Sequence, residues 1–328
     1  MKKALFAFSL AMFVILVFVT ASEILLRLTG HAPWQAAHPF PNEPVTSEPD
    51  SVLGWRNKPG RYVFPGYFPA ADSIRMTFLT DGCRMSGAAA GEVKRRIVLV
   101  GGSFMQGWAL SDRQTLGWKL QERYPNCEVL NFGAAGYGTY QSLLVLERIL
   151  PSLPPPVIVV YGFGGHHEDR NAATASWVEL LTRFSARGHV AVPYVTLGRS
   201  GELVRHSPTR YPTLPWQERL AFSAFAAKWI MQWRARGRVG EKHAITEELL
   251  LAMERECAAH GAGLLVAVLQ LGEGKRPLYE DFFAARGLRV VYCARPLTAD
   301  LRVRGEGHPN EKMNALWAEC IAGGIDAL

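Results

Sequence analysis

The sequence is poor in the features that would build a metal- or nucleic-acid-binding protein. Its five cysteines, Cys83, Cys127, Cys257, Cys293 and Cys320, are far apart and show no CxxC spacing. That excludes a zinc-finger framework and a dense disulfide scaffold. Buried free thiols are the expectation, with one disulfide left open if the compartment is oxidising. The net charge is +7, but no dense Lys/Arg block and no RNA-binding aromatic signature go with it. Nucleic acid is therefore not an expected partner, and the basicity suits an anionic surface or polymer. There are no internal repeats. The glycine-rich stretch "GGSFMQG" has no lysine after its glycines, as a phosphate loop would, and this argues against a nucleotide-binding sheet.

Charge is missing altogether from residues 4–22, behind Lys2 and Lys3. A run of that length can cross a bilayer as a helix, and the two lysines favour a cytoplasmic N-terminus. Val19-Thr20-Ala21 is a passable cleavage site for a signal peptide. The length of the run and the helical continuation "SEILLRL" favour an uncleaved anchor instead. Either way the remainder of the chain is expected outside the cytoplasm, periplasmic or at the cell surface. Residues 1–30 are thus the membrane segment. Residues 31–90 read as a linker and N-terminal extension, with Pro, His and aromatic residues concentrated in 32–66.

From residue 91 the pattern changes. With 328 residues, 48% of them apolar, the chain can bury one large α/β domain or two small ones. "RIVLVGG", "CEVLNFG", "PPPVIVVYGFG", "GLLVAVLQL" and "LRVVYCA" read as five strands. "TLGWKLQERY", "YQSLLVLERIL", "AITEELLLAMERECAAHG" and "NEKMNALWAECIAGG" read as helices between and after them. In the third of these Thr246 is the expected N-cap, with Gly261 near its end. Strands so apolar are buried on both faces, and their alternation with helices implies a parallel sheet between two helical layers. Residues 175–243 interrupt the rhythm as an insertion, with an aromatic-rich, Arg-ending helix over about 216–236. That helix suits packing on the domain, a cap over a site, or a foot on anionic headgroups.

Ligands of such sheets bind at the carboxyl ends of the strands, and Ser103 follows the first strand. A serine hydroxyl needs a base, and nine histidines are available. His31 and His38 fall in the linker, His189, His206 and His243 in or beside the insertion, and His260 closes a helix. His308, in "GEGHPNEKMN", stands just before the last helix, which Asn310 can cap, on the same rim as Ser103. Two loops reach that rim. "NFGAAGYGT" brings backbone N–H groups suited to an oxyanion, and "YGFGGHHEDRN" brings polar donors. The run His166, His167, Glu168, Asp169 invites a metal, but neighbours along a strand point to opposite faces, so no metal site is expected. Arg84, in "LTDGCRMSG", is a candidate for binding an anionic or sugar-like substrate, with a structural ion pair or an exposed turn as its alternatives.

These blocks resemble the SGNH (GDSL-type) esterase superfamily over residues 95–175 and 262–325, and the upstream "VLGWRNKPG" is similar to membrane-anchored members. The resemblance implies a three-layer α/β sandwich on a five-stranded parallel, flavodoxin-like sheet at residues 91–328, behind an N-terminal transmembrane helix. Gly101-Gly102-Ser103 matches the family's Gly-Asp-Ser block with Gly in place of Asp, which makes Ser103 the nucleophile and its N–H one oxyanion donor. Asn131 to Gly136 matches the second block, and Gly136 gives the next donor. The third block normally holds Asn-Asp. Here His166 and His167 stand there, so a His166 N–H is the expected third donor. "GEGHPN" matches the last block, with His308 the general base. The acid sits three residues before the histidine in the family. That position is Gly305 here, and Glu306 lies two before. Either Glu306 orients the imidazole or a Ser-His dyad works without it.

The implied activity is an extracytoplasmic serine esterase, or O-acyl transferase, acting on an acylated glycan or lipid without a cofactor. The alternative is an inactive, membrane-anchored binding or assembly protein on the same scaffold, which the altered third block would suit.

Overall fold

The computed structural model describes the chain apart from residues 1, 38–41, 69–70, 186–187 and 189, so His38 and His189 lie outside the described residues. The chain opens with helix α1 (Lys2–Leu28) and two antiparallel pairs, β1 (Ser47–Asp50) with β2 (Gly54–Asn57) and β3 (Gly60–Phe64) with β4 (Ile74–Phe78). Next come β5 (Arg95–Gly101), α2 (Ser103–Gln106), α3 (Leu116–Arg123), β6 (Cys127–Asn131), α4 (Thr139–Ile149), β7 (Val157–Gly164) and α5 (His167–Asn171). The insertion holds α6 (Ala175–Phe184), the hairpin β8 (Val192–Leu197) and β9 (Leu203–Thr209), and α7 (Ala221–Val239). The domain closes with α8 (Lys242–Ala259), β10 (Ala262–Gln270), α9 (Arg276–Arg286), β11 (Val290–Tyr292) and α10 (Glu311–Asp326).

Five strands form one parallel sheet in the order β6-β5-β7-β10-β11. Numbered by their place in this sheet, that is 2-1-3-4-5, the flavodoxin-like order, whose crevice opens at the carboxyl ends of its first and third strands. Those are β5 and β7. Alternation along β5 divides the core. Val98 and Val100 pack toward α4 and α8, and Ile97 and Leu99 toward α3 and α10. All four are fully buried, as a strand covered on both faces requires.

Three sequence expectations change. The stretch 32–66 is not a free linker: Leu53 and Trp55 are buried in the domain core, because Trp55 donates Nε1–H to Ala135 O (2.9 Å) and its own carbonyl accepts from Tyr137 Oη (2.5 Å). The aromatic-rich helix starts at Ala221 and leaves Trp216 outside it in a left-handed conformation (φ 57°). Thr246 does not cap α8. The helix begins at Lys242, and the Thr246 hydroxyl, one turn further on, donates back to Lys242 O (2.8 Å). Gly261, with φ +65°, does follow that helix end. Cys293 and Cys320 form a disulfide between the end of the sheet and α10, and Cys83, Cys127 and Cys257 are buried free thiols.

Candidate active site

Ser103 is the first residue of α2, directly behind β5. The two glycines before it are required by close approach. A Cβ on Gly101 would lie 3.0 Å from Gly162 O, and one on Gly102 would lie 2.7 Å from Arg170 Nη1 and 3.0 Å from Tyr137 O. The neighbouring strand holds the turn, since Asn131 Nδ2 donates to Met105 O (2.8 Å). As the first helical residue, Ser103 has a backbone N–H without an intrahelical acceptor.

His308 Nε2 lies 3.0 Å from Ser103 Oγ, and His308 Nδ1 lies 2.6 Å from Glu306 Oε1. The second Glu306 oxygen accepts from the His308 backbone N–H at 2.8 Å. A carboxylate beside Nδ1 fixes the proton there and leaves Nε2 free to accept from the serine. An acid only two residues before the ring can reach it because the turn is unusual. Gly305 and Gly307 have φ +85° and +102°, conformations that cost other residues energy. The turn is closed by Gly307 N–H to Val303 O (2.8 Å) and Val303 N–H to His308 O (2.7 Å). Gly305 also presses on Tyr67, whose carbonyl oxygen would lie 2.3 Å from an added Cβ. Asn310 then caps α10, its Oδ1 accepting from Met313 N–H (3.2 Å).

Ser103, Glu306, His308 and Gly136 line one side of a pocket of about 500 Å³, together with Arg170. The rest of its lining is mainly apolar, with Trp55, Trp108, Trp177, Leu180, Leu181 and Phe184, and includes the polar Glu43, Thr46, Asn57 and Gln106. A second hollow of about 590 Å³, behind the His308 loop, contains neither Ser103 nor His308. Arg170 is the residue that sequence reasoning missed. Its guanidinium stands over the Trp177 ring at 4.6 Å and donates Nη1–H to Tyr137 O (2.7 Å). Burial pushes its pKa down to about 10, so it remains a cation at neutral pH. A signal was present in "HHEDRN". Taken as the opening of a helix, the run puts Arg170 one turn beyond His166, whereas taken as a strand end it hides that relation.

The same misassignment affects the rest of the run. His166 does not line this pocket. Its ring folds back over Gly164 and lines a separate small cavity that Ser103 also borders, edge-on to Phe104 (5.9 Å between centroids). Burial, with the positive charge of Arg170, drives its pKa down to about 3, so the ring is neutral. The reason given against a metal also changes, because His167, Glu168 and Asp169 are on a helix, not a strand. They are held by other partners: His167 by Tyr161 (2.7 Å), Glu168 by Lys275, His243 and Tyr279, and Asp169 by Lys242 (2.9 Å).

Arg84 is a correction too. It is fully buried, paired with Asp112 (2.9 Å) and donating to Leu110 O (2.7 Å). A guanidinium enclosed in this way clamps the loop after α2 and cannot touch a substrate. Of the remaining histidines, His31 stacks on Phe225, His206 bonds Thr196, His243 pairs with Glu168 and His260 with Glu256.

No family model and no curated protein matches the chain. Solved structures with a distant likeness exist. One is a member of the lipolytic G-D-S-L family from Veillonella parvula, at 10% identity and TM-score 0.41, covering 71% of this chain and 100% of that one. Another is a GDSL-like lipase from Bacteroides thetaiotaomicron, at 13% identity and TM-score 0.38, covering 71% and 89%. A third is AlinE4, an SGNH-hydrolase family esterase, at 14% identity and TM-score 0.36, covering 73% and 98%. All three carry the GDSL or SGNH name.

Proposed function

We propose that this chain is an SGNH-type serine esterase, anchored by α1 with its catalytic domain outside the cytoplasm, that removes or transfers the O-acyl group of a glycan or lipid. The observation that carries this is the unbroken chain from Glu306 to His308 to Ser103, at 2.6 and 3.0 Å. A binding scaffold has no use for that alignment. Ser103 Oγ attacks the ester carbonyl as His308 Nε2 takes its proton, and Glu306 stabilises the resulting imidazolium. The backbone N–H groups of Ser103 and Gly136 and the Arg170 guanidinium hold the oxyanion, and His308 then returns the proton to the leaving alcohol. A water or an acceptor hydroxyl, deprotonated by His308, releases the acyl group from Ser103.

The apolar wall and the pocket volume of about 500 Å³ suit an acyl group larger than acetyl. The disulfide between Cys293 and Cys320 supports an oxidising compartment. The test is turnover of p-nitrophenyl esters of increasing chain length, with covalent labelling by a serine-reactive phosphonate. Wild type should turn over and be labelled. Ser103→Ala and His308→Ala should lose about four orders of magnitude or more in kcat. A folded wild type with neither turnover nor label at Ser103 would instead favour the inactive binding or assembly protein.

A further inference from the structure

Helix α7 carries a face that neither catalysis nor the domain core uses. Its buried residues include Ser223, Ala227, Met231 and Ala235, one turn apart. Two positions on, a rotation of about 200°, come Phe225, Trp229 and Trp233, which are 43%, 58% and 53% exposed. Trp229 and Trp233 are thus turned from the buried stripe, while Phe225 is covered on one face by His31 and borders, with Trp229, a hollow shared with Trp34 and Glu179. Arg234 and Arg236 are exposed beside Trp229 and Trp233, with the Arg236 guanidinium over the Trp233 ring at 5.2 Å, and Lys228 is exposed but 3.8 Å from Glu179 of α6.

The beginning of α7 is joined to α1. Glu23 accepts from the backbone N–H groups of Ala221 (3.0 Å) and Phe222 (2.8 Å), satisfying two donors at the α7 N-terminus. Arg27 pairs with Glu23 (2.6 Å) and donates Nη2–H to Arg219 O (2.9 Å). Phe18 meets Phe222 edge-on at 6.3 Å, and His31 stacks on Phe225 at 5.2 Å. The uncharged residues 4–22 of α1 rise about 28 Å as a helix, close to the hydrocarbon thickness of a bilayer. Glu23 follows that run at once, so it stands at headgroup level, and the first turn of α7 is bonded to it there.

We propose that the outward face of α7 lies in the extracytoplasmic membrane interface beside α1, with Phe225, Trp229 and Trp233 in the acyl–headgroup boundary and the neighbouring cations on anionic headgroups. Aromatic rings with flanking Lys and Arg are the composition of an interfacial helix. The partner is the lipid surface itself. This inference rests on α1 being retained as an anchor. It also bears on the substrate, because α6, which packs on α7, supplies Leu180, Leu181 and Phe184 to the pocket wall, and a bilayer at α7 brings that wall close to membrane-borne acyl chains.

The test uses the full chain extracted from membranes, with its intact mass measured first. It is then reconstituted in vesicles of equal parts phosphatidylcholine and phosphatidylglycerol, with the phosphatidylcholine either plain or brominated near the carbonyl end of its acyl chains. Brominated lipid should quench part of the tryptophan emission. The double variant Trp229→Phe/Trp233→Phe, which keeps the face apolar and aromatic, should lose most of that quenching while keeping the wild-type circular dichroism. Quenching that is unchanged in the double variant, with residues 1–28 present in the mass, overturns the placement of α7 alone. A mature protein lacking residues 1–28 overturns the anchor and this placement together. Neither readout depends on esterase activity.

Discussion

The two sides of the pocket are built from different parts of the chain. The reacting groups are Ser103 at the start of α2, directly behind β5, and Gly136, Glu306 and His308 on loops, around a sheet buried on both faces. The apolar lining draws Trp55 from the N-terminal extension and Trp177, Leu180, Leu181 and Phe184 from the insertion, with Trp108 alone coming from the loop after α2. The difference teaches a division of labour. Bond-making groups need positions held to a fraction of an ångström, and a rigid scaffold supplies them. Selectivity needs only a surface of the right shape, which added segments can change without disturbing the chemistry. Arg170 joins the two sides, since it faces the pocket beside Ser103 while its guanidinium stacks on Trp177.

The sharpest way to break this comparison is on the reacting side. Glu306→Gln keeps the shape of the turn but removes the charge that stabilises the imidazolium, and kcat should fall by about two to four orders of magnitude. A smaller loss would mean that Ser103 and His308 work as a dyad. Arg170→Gln comes next. It should lower kcat by about a hundredfold, the cost of one oxyanion donor, with little change in KM. If KM rises and kcat holds, Arg170 binds substrate and does not act on the transition state.

On the apolar side the effects should be smaller and of another kind. Leu181→Ala should reduce kcat/KM for a long acyl ester about tenfold relative to acetyl, as removal of apolar contacts from a pocket does, and leave turnover of p-nitrophenyl acetate nearly unchanged. An equal loss on both esters would show that this wall supports the reacting side, and the two regions would not be separable.

The smallest effect concerns pH and stability. His166 has a folded pKa of about 3 against an ordinary value of 6.5. The unfolded chain therefore binds more protons between these values, and stability rises with pH through that window and is lost as pH falls. His166→Gln should flatten this acid-side decline, measured as Tm against pH, and leave Tm at neutral pH within a few degrees. An unchanged slope would assign the acid sensitivity to other groups.

How far the site was legible depends on the distance between its parts in sequence. Gly101-Gly102-Ser103 and Glu306-Gly307-His308 are local blocks whose glycines announce tight turns, so the two halves could be named without knowing how they meet. Trp177 carries no local signature, Trp55 sits in a block that does not show where its ring goes, and the signal for Arg170 is visible only if its run is taken as a helix. An arginine beside two histidines and two acids reads as one more polar residue until α5 turns it toward Ser103. Arg84 shows the opposite error: it stands out in sequence, but enclosure with Asp112 takes it out of reach of any ligand.

The sequence by itself determined the alternation of buried strands and helices, the apolar N-terminal helix and the order of the chemical blocks, because these depend on periodicity and on residues adjacent in the chain. Only the tertiary structure decided that Glu306 reaches His308 from two residues away and that Arg170, not His166, shares the pocket with Gly136. It also decided that the N-terminal extension forms part of the pocket wall and that Glu23 of α1 caps α7. Those contacts join residues far apart in the chain or depend on the exact path of a turn, and the energy that selects them comes from packing and desolvation in the folded state, which no local pattern encodes.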